Sequence, residues 1–167
     1  PGDSLFAFDP ELSRVTVFPP NRTDPAYTVN LAERASFGRP DWIAKIHSTN
    51  RMLAAYSGGL SPEHDDHGLN IVRLLEADGS LVQDSVLLFP GPQMLTAEMA
   101  GRMMSVPNPF GAAGLVRMGP DGQIIYSWTD SLGSEVYGLD GNPVGAFVMD
   151  HPGVPVTEQD IAATFAH

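Results

Sequence analysis

Residues 115–149 read LVRMGPDGQIIYSWTDSLGSEVYGLDGNPVGAFVM and carry the pattern that decides the fold. Short apolar runs rich in β-branched and aromatic residues alternate with turn-forming residues, which is typical of antiparallel strands. Asp121-Gly122 and Asp140-Gly141 each separate two of these runs. Asp-Gly in that position indicates a hairpin with a two-residue type I′ turn, in which both residues need a positive φ. This stretch therefore predicts a four-stranded antiparallel meander.

The same pattern recurs earlier in the chain. Asp78-Gly79 lies 62 residues before Asp140-Gly141 and takes the same place between the third and fourth strands of its unit. The first unit offers three strands and each of the other two offers four, so the sequence predicts eleven strands. In the tail, Thr157 suits a helix N-cap and predicts a short C-terminal helix. The predicted organisation is one domain over residues 1–167, with units at about 1–36, 37–90 and 102–150 and a tail at 151–167.

Repeated four-stranded units of this length predict an all-β fold of β-propeller blades, about three in number, with a β-sandwich as the competing fold. The repeats share one register, which a sandwich does not require, and this favours the propeller. The first unit lacks its inner strand, and closed propellers usually have at least four blades. We therefore expect these blades to form an incomplete ring that is part of a longer propeller.

Charge and composition exclude some classes of partner. The chain has 20 acidic against 9 basic residues and a formal net charge of −11, which repels nucleic acid. It has no cysteine, so disulfides and thiolate chemistry are excluded while the compartment stays undecided. No apolar stretch reaches the 18 or so residues of a membrane-spanning helix. We expect neither a nucleic-acid partner nor a membrane span.

Three segments resemble bacterial six-bladed β-propeller proteins of the NHL-like group. They are Leu5–Asp9 with Arg14–Phe18, then Met103–Gly111, then Pro155–Ile161. The resemblance implies a six-bladed fold and a periplasmic or secreted location. The wider superfamily includes binding modules and metal-dependent enzymes such as lactonases and amidating lyases, so the resemblance implies fold more than function. No catalytic set of these enzymes can be placed on this sequence residue by residue.

One dense group of potential metal ligands occurs in the chain, in the sequence Glu63-His64-Asp65-Asp66-His67. It falls in a polar segment, Ser57 to Leu69, which is longer than the matching loops of the other units. Imidazole and carboxylate groups together can hold zinc or another divalent ion. The candidate metal ligands are His64, Asp66 and His67. A solvated surface loop is the alternative, and no other cofactor is indicated.

A second long segment, residues 90–104, connects the second unit to the third, and we expect some helix in it. In an antiparallel meander this connector and the Ser57 to Leu69 segment lie at the same end, and extra chain at one end of a repeat fold is where binding usually occurs. Met94, Met99 and Met103 are the candidate ligand-binding residues, because thioether side chains form adaptable surfaces. Filling of the core by these methionines is the alternative.

The sequence shows no nucleophile elbow and no glycine-rich phosphate loop, so we assign no catalytic residue. The favoured function is a non-enzymatic binding or scaffold module whose long-segment face holds a protein, peptide or small ligand. A metal-dependent hydrolase or lyase of the six-bladed propeller type is the alternative. A purely structural part of a larger assembly is a third hypothesis.

Overall fold

The computed structural model of this chain describes residues 4–31, 39–46, 48–61, 64–99, 101–119, 122–150 and 153–164. For residues 58–61, 64–66 and 99 it describes the backbone alone. The strands along these residues are β1 Leu5–Asp9, β2 Arg14–Phe18, β3 Tyr27–Asn30, β4 Pro40–Ile46, β5 Arg51–Ser61, β6 His64–Glu76, β7 Leu81–Met99, β8 Arg102–Pro107, β9 Gly114–Met118, β10 Ile124–Trp128, β11 Gly133–Tyr137 and β12 Pro143–Val148. The helix α1 spans Glu158–Thr164.

The strands form three antiparallel sheets that follow one another along the chain. The N-terminal sheet has the order β1-β2-β3, the middle sheet β4-β5-β6-β7-β8, and the C-terminal sheet β12-β11-β10-β9. The prediction of an all-β fold with antiparallel sheets and a short C-terminal helix is confirmed. Each of the eleven predicted strands overlaps a strand of the structure, while the number of propeller blades stays a prediction.

The middle sheet is buried on both faces. Met52, Ala54 and Tyr56 of β5 belong to the core shared with the N-terminal sheet. The alternate residues Leu53 and Ala55 belong to the core shared with the C-terminal sheet. All five are at most 3% exposed. A strand covered on both faces reads as a continuous apolar run, and this explains why residues 52–56 show no alternation of apolar and polar residues.

The hairpin at Asp78-Gly79 forms where predicted, but with a different turn. The Gly79 N–H donates to the Glu76 carbonyl at 2.9 Å, and the Glu76 N–H donates to the Ser80 carbonyl at 2.9 Å. Gly79 has a φ of +80°, whereas Asp78 is not among the described residues with positive φ. The loop is therefore a three-residue type I turn closed by a left-handed glycine, and the predicted two-residue type I′ turn is wrong. Asp78 Oδ1 accepts the Ser80 N–H at 2.8 Å, and this hydrogen bond explains why an aspartate occupies this position of the turn.

Turn glycines also set how closely the sheets approach. Gly122 and Gly141 have φ values of +78° and +80°, and Gly141 closes a loop like that of Gly79. Asp121 lies outside the described residues. A Cβ at Gly79 would lie 2.5 Å from Val29 Cγ1 in the N-terminal sheet, and one at Gly141 would contact the Val86 carbonyl oxygen in the middle sheet. Each of these two turns thus packs directly on the preceding sheet.

Two segments expected to lie outside the sheets are strands instead. β5 continues to Ser61 and β6 begins at His64, so the predicted loop from Ser57 to Leu69 is largely a hairpin. β7 runs to Met99 and pairs with β8, so the helix expected within residues 90–104 does not form in the described part of that segment.

Strand-breaking residues in β7 explain the wrong prediction. Pro90, Gly91 and Pro92 argue against a strand, because proline cannot donate to a ladder and glycine weakens it. In the structure they fall at a register shift, between the pairs Leu69↔Pro90 and His67↔Gln93. A Cβ at Gly91 would lie 3.0 Å from the Gly68 carbonyl oxygen, so glycine permits the close approach of the two backbones.

The C-terminal helix has the predicted cap. Thr157 Oγ1 accepts the Asp160 N–H at 3.3 Å, and Asp160 Oδ2 accepts the Thr157 N–H at 2.9 Å. The Thr157 hydroxyl also donates to Asp160 Oδ2 at 2.6 Å, and this bond, together with the one from the Thr157 N–H, lowers the pKa of Asp160. Among the described residues, no helix has the length and apolarity needed to cross a membrane.

Gly79→Ala should destabilise the fold more than Gly101→Ala. Both glycines have a left-handed backbone, with φ of +80° and +76°, and alanine in that conformation costs about 1–2 kcal/mol. At Gly79 the added methyl group also meets Val29, whereas nothing lies within 4 Å at Gly101. Overpacking adds about 1–3 kcal/mol. Urea denaturation gives the free energy of unfolding of both variants, and equal losses would contradict the close packing of the Gly79 turn.

Candidate functional site

The two long segments lie side by side in the middle sheet. His67 of β6 pairs with Gln93 of β7. β7 then leaves β6 and pairs with β8 over residues 94–99 and 102–107, which we call the β7–β8 hairpin. Both segments are therefore built as strands of one sheet, and the hydrogen-bonded ladder fixes their relative position.

His67 contacts the C-terminal sheet. Its ring lies 5.4 Å from the ring of Trp128, measured between centroids, at an interplanar angle of 64°. Both side chains are half-buried. Near them, Phe89 and Tyr126 form a second aromatic pair with centroids 5.6 Å apart. The His67–Trp128 contact joins β6 to β10 and the Phe89–Tyr126 contact joins β7 to β10, so His67 has a packing role in the structure.

The proposed metal ligands are only partly described. The backbone of His64 and Asp66 lies in β6, but their side chains are outside the described residues. Within the described part of the chain, no group of three or more His, Cys, Asp or Glu residues could hold a metal ion. The assignment of His64, Asp66 and His67 as a metal site stays a prediction.

A short network ties the β7–β8 hairpin to the C-terminal sheet. The Asn108 N–H donates to the Gln93 carbonyl at 2.7 Å, and the Gln93 N–H donates to the Ala112 carbonyl at 2.8 Å. The side chain of Asn108 donates to Gln93 Oε1 at 3.2 Å and accepts the Phe110 N–H at 3.1 Å. Thr129 Oγ1 accepts the Ala113 N–H at 2.8 Å. The base of the hairpin is thus fixed on both sides.

One face of the β7–β8 hairpin is apolar. The register pairs Leu95 with Val106 and Ala97 with Met104, and successive pairs of an antiparallel ladder alternate between its two faces. Leu95, Val106 and Met104 are 42%, 44% and 47% exposed. We call these four residues the apolar face of the hairpin, and the pair Met99↔Arg102 follows them on the same side at the tip. Such a group of exposed side chains is typical of an interaction surface.

The opposite face of the hairpin is more polar. Thr96 and Ser105 share a hydrogen bond of 3.1 Å between their hydroxyl oxygens, and Glu98 pairs with Met103. Met103 is 70% exposed, so it does not fill the core. The two faces of the hairpin therefore differ in chemistry.

The candidate methionines divide by position. Met94 is half-buried and pairs with Pro107 at the base of the hairpin. Met103 and Met104 both lie on β8, and both are exposed, contrary to the core-filling alternative. The side chain of Met99 is outside the described residues. The structure thus brings Met94 and Met103 into one hairpin.

β8 forms one edge of the middle sheet. It pairs with β7, and it ends the strand order β4-β5-β6-β7-β8. All six of its residues are exposed. Natural edge strands are often protected by charges or proline, and here Arg102 and Pro107 bracket four uncharged residues. Among the described residues, the centre of this edge is therefore open to strand pairing.

No protein family, curated protein sequence or solved structure matches this chain. The resemblance to NHL-like propellers accordingly stays a prediction.

Zinc, manganese or calcium should raise the midpoint of thermal unfolding if His64, Asp66 and His67 bind a metal. A ligand at about 100 times its dissociation constant stabilises the native state by about 2.7 kcal/mol. The shift should disappear in the double variant His64→Ala, His67→Ala and persist in His151→Ala. An equal response of the native chain and the double variant would contradict the metal site.

Asn108→Ala should loosen the β7–β8 hairpin while the sheets stay folded. The change removes the side-chain hydrogen bonds to Gln93 and Phe110, each worth about 0.5–1.5 kcal/mol. Amide hydrogen exchange should accelerate at residues 94–107. Asn142→Ala is the matched control, because the Asn142 side chain bonds to Asp140 within an exposed turn. Unchanged exchange at residues 94–107 in Asn108→Ala would argue against this anchor.

Proposed function

We propose that this chain is a non-catalytic binding module that captures an extended segment of a partner protein along β8. The observation that carries the proposal is the exposed edge strand β8 with the apolar face of the hairpin beside it. Both are held by a base that is hydrogen-bonded to the rest of the fold.

The backbone of β8 offers the affinity. An exposed edge strand presents N–H and C=O groups that an incoming extended peptide can pair with, a mode of recognition known as strand addition. Within the described residues β8 has one strand neighbour, β7, so its other edge can accept the peptide. Main-chain pairing of this kind depends little on the partner's sequence.

Side chains of the hairpin provide the specificity. A bound strand would place alternate residues over the apolar face, so a suitable segment has apolar residues at every second position. Met104 can adapt its conformation to partner side chains of different shape, because its thioether chain is flexible. The face therefore suits a family of related apolar segments.

Charge favours a basic partner. The formal net charge of −11 attracts cationic proteins over long distances and accelerates their association. The four central residues of β8 carry no charge themselves, so steering and docking use different parts of the surface. We therefore propose a partner segment with apolar residues at alternate positions and basic residues on its flanks.

The hairpin is ordered before binding. Gln93 and Asn108 fix its base through backbone and side-chain hydrogen bonds. A surface that is already ordered loses less conformational entropy when it binds. The anchoring network supports a binding function better than a loop that folds on contact would.

We also propose that the three sheets are successive blades of a six-bladed propeller of the NHL-like type. The burial of the middle sheet between its two neighbours supports this arrangement. Leu115 and Phe147, 50% and 51% exposed, give the C-terminal sheet a partly apolar outer surface of the kind that packs on another sheet. The alternative function, a metal-dependent hydrolase or lyase, depends on His64 and Asp66, whose side chains lie outside the described residues.

Selection from a random peptide library, followed by measurement of affinity, tests the proposed function. Selected peptides should contain alternating apolar residues and basic flanks. Met104→Asp places a charge on the apolar face and should weaken binding about tenfold or more, or by about 1.4 kcal/mol. Met103→Asp makes the same change on the opposite face and should alter affinity much less.

Chemical-shift mapping with a selected peptide gives an independent readout. The largest changes should fall on the backbone amides of residues 102–107. Equal losses of affinity in Met103→Asp and Met104→Asp, or shifts centred on another sheet, would overturn the proposal.

A further inference from the structure

A pocket of about 340 Å³ lies where the three sheets meet. Phe6 and Phe8 of β1 line one side, Ile43 of β4 lines a second, and Met118 of β9 lines a third. All four side chains are half-buried, so each one packs against a core and also presents surface to the pocket. The walls of the pocket are therefore mainly apolar.

Lys45 of β4 brings a positive charge to these apolar walls. It lies two positions after Ile43, and alternate residues of a strand point to the same face of the sheet. Its Nζ lies 4.2 Å from the centre of the Phe6 ring, and this cation–π contact holds the ammonium group at the wall. Among the described residues that line the pocket, Lys45 is the one charged residue.

The ammonium group of Lys45 has no carboxylate partner among the described residues. It takes part in none of the ion pairs or hydrogen bonds of that part of the chain. The residue is half-buried, so water hydrates the charge only in part. A partly buried charge without a partner is costly, and an ammonium group has three N–H donors to offer. A bound anion would therefore gain a charged donor that no acidic side chain already occupies.

We infer that this pocket binds a small aromatic carboxylate. The carboxylate would accept charge-assisted hydrogen bonds from Lys45 Nζ. The ring of the ligand would pack against Phe8 and Met118, because aromatic rings pair favourably with one another and with thioether sulfur. Taking about 30 Å³ for one water, the pocket accommodates roughly ten non-hydrogen atoms.

The distribution of charge favours an anion here in spite of the net charge. The chain has a formal charge of −11, and four of its described arginines form ion pairs with acidic side chains. Lys45 is instead surrounded by apolar side chains, where its attraction to a carboxylate is stronger than in water. A neutral aromatic molecule would gain the wall contacts alone, and a small anion without a ring would gain the charge alone.

The site can be observed directly, because Lys45 is the only lysine of the chain. In protein made with isotope-labelled lysine, a single side-chain NMR signal reports on Lys45. Phenylacetate should shift this signal along a saturating curve. It should bind about tenfold more tightly, or better, than phenylacetamide, which lacks the charge, and than acetate, which lacks the ring, because hydrogen bonds to charged groups are the stronger ones. Equal affinity for phenylacetamide, or a lysine signal that phenylacetate leaves in place, would overturn the inference.

Variants identify the residue that selects the anion. Lys45→Met removes the charge, keeps a side chain of similar length over Phe6, and should abolish the preference for phenylacetate over phenylacetamide. Lys45→Arg keeps the charge and should retain the preference. Arg22→Met is the matched control, because it removes the same charge from the exposed connection between β2 and β3. It should leave the preference unchanged, as measured by isothermal titration calorimetry.

A preference that survives in folded Lys45→Met, or that is lost in Arg22→Met, would contradict the site. If Lys45→Met fails to fold, the lysine signal of the native chain and the affinities of Lys45→Arg still decide the question. β4 and β8 are opposite edges of the middle sheet. The outcome is therefore separate from that of the peptide-binding experiments.

Discussion

Residues 52–56 of β5 are covered by sheets on both sides, and the packing of the whole fold depends on this strand and its neighbour β6. Met52 and Leu53 are adjacent in the backbone but belong to different cores. A shift of β5 toward one neighbouring sheet would therefore open a gap on the other side. Since interiors are close-packed and compress little, the two cores constrain each other.

This constraint explains how exposed features can be well defined. The strands that are buried between the sheets continue beyond them, and β7 carries its ladder from the core into the hairpin with β8. The hairpin is thus positioned by a continuous strand rather than by a loop. The same sheet holds Arg73 at the opposite end, where a bulged part of β7 brings Asp84 to it. The hairpin and this ion pair are thus parts of the same sheet.

Local patterns predicted the strands well and the site poorly. Apolar runs and Asp-Gly pairs located the hairpins, because turn residues act on their own neighbours. The full length of β7 was not predicted, because Pro90 and Pro92 normally end a strand. They are tolerated here at a register shift, which becomes visible only when β7 is paired with β6. Gln93 and Asn108 carry no local signal, and their hydrogen bond joins residues 15 positions apart. Arg73 likewise gave no sign of burial, because Asp84, with which it forms an ion pair, lies on another strand.

The glycine turns that pack on the preceding sheet have a consequence for how such a chain can grow. At Gly141 the turn meets the Val86 carbonyl, so backbone limits the separation of the sheets there, whereas at Gly79 the turn meets the side chains of Val29 and Leu31. A spacer of the Gly141 kind is independent of the residues that fill each core. A duplicated unit carrying that turn would pack on its predecessor at the same distance, whatever apolar residues it inherited. Gene duplication could thus lengthen the stack first and diversify its cores afterwards.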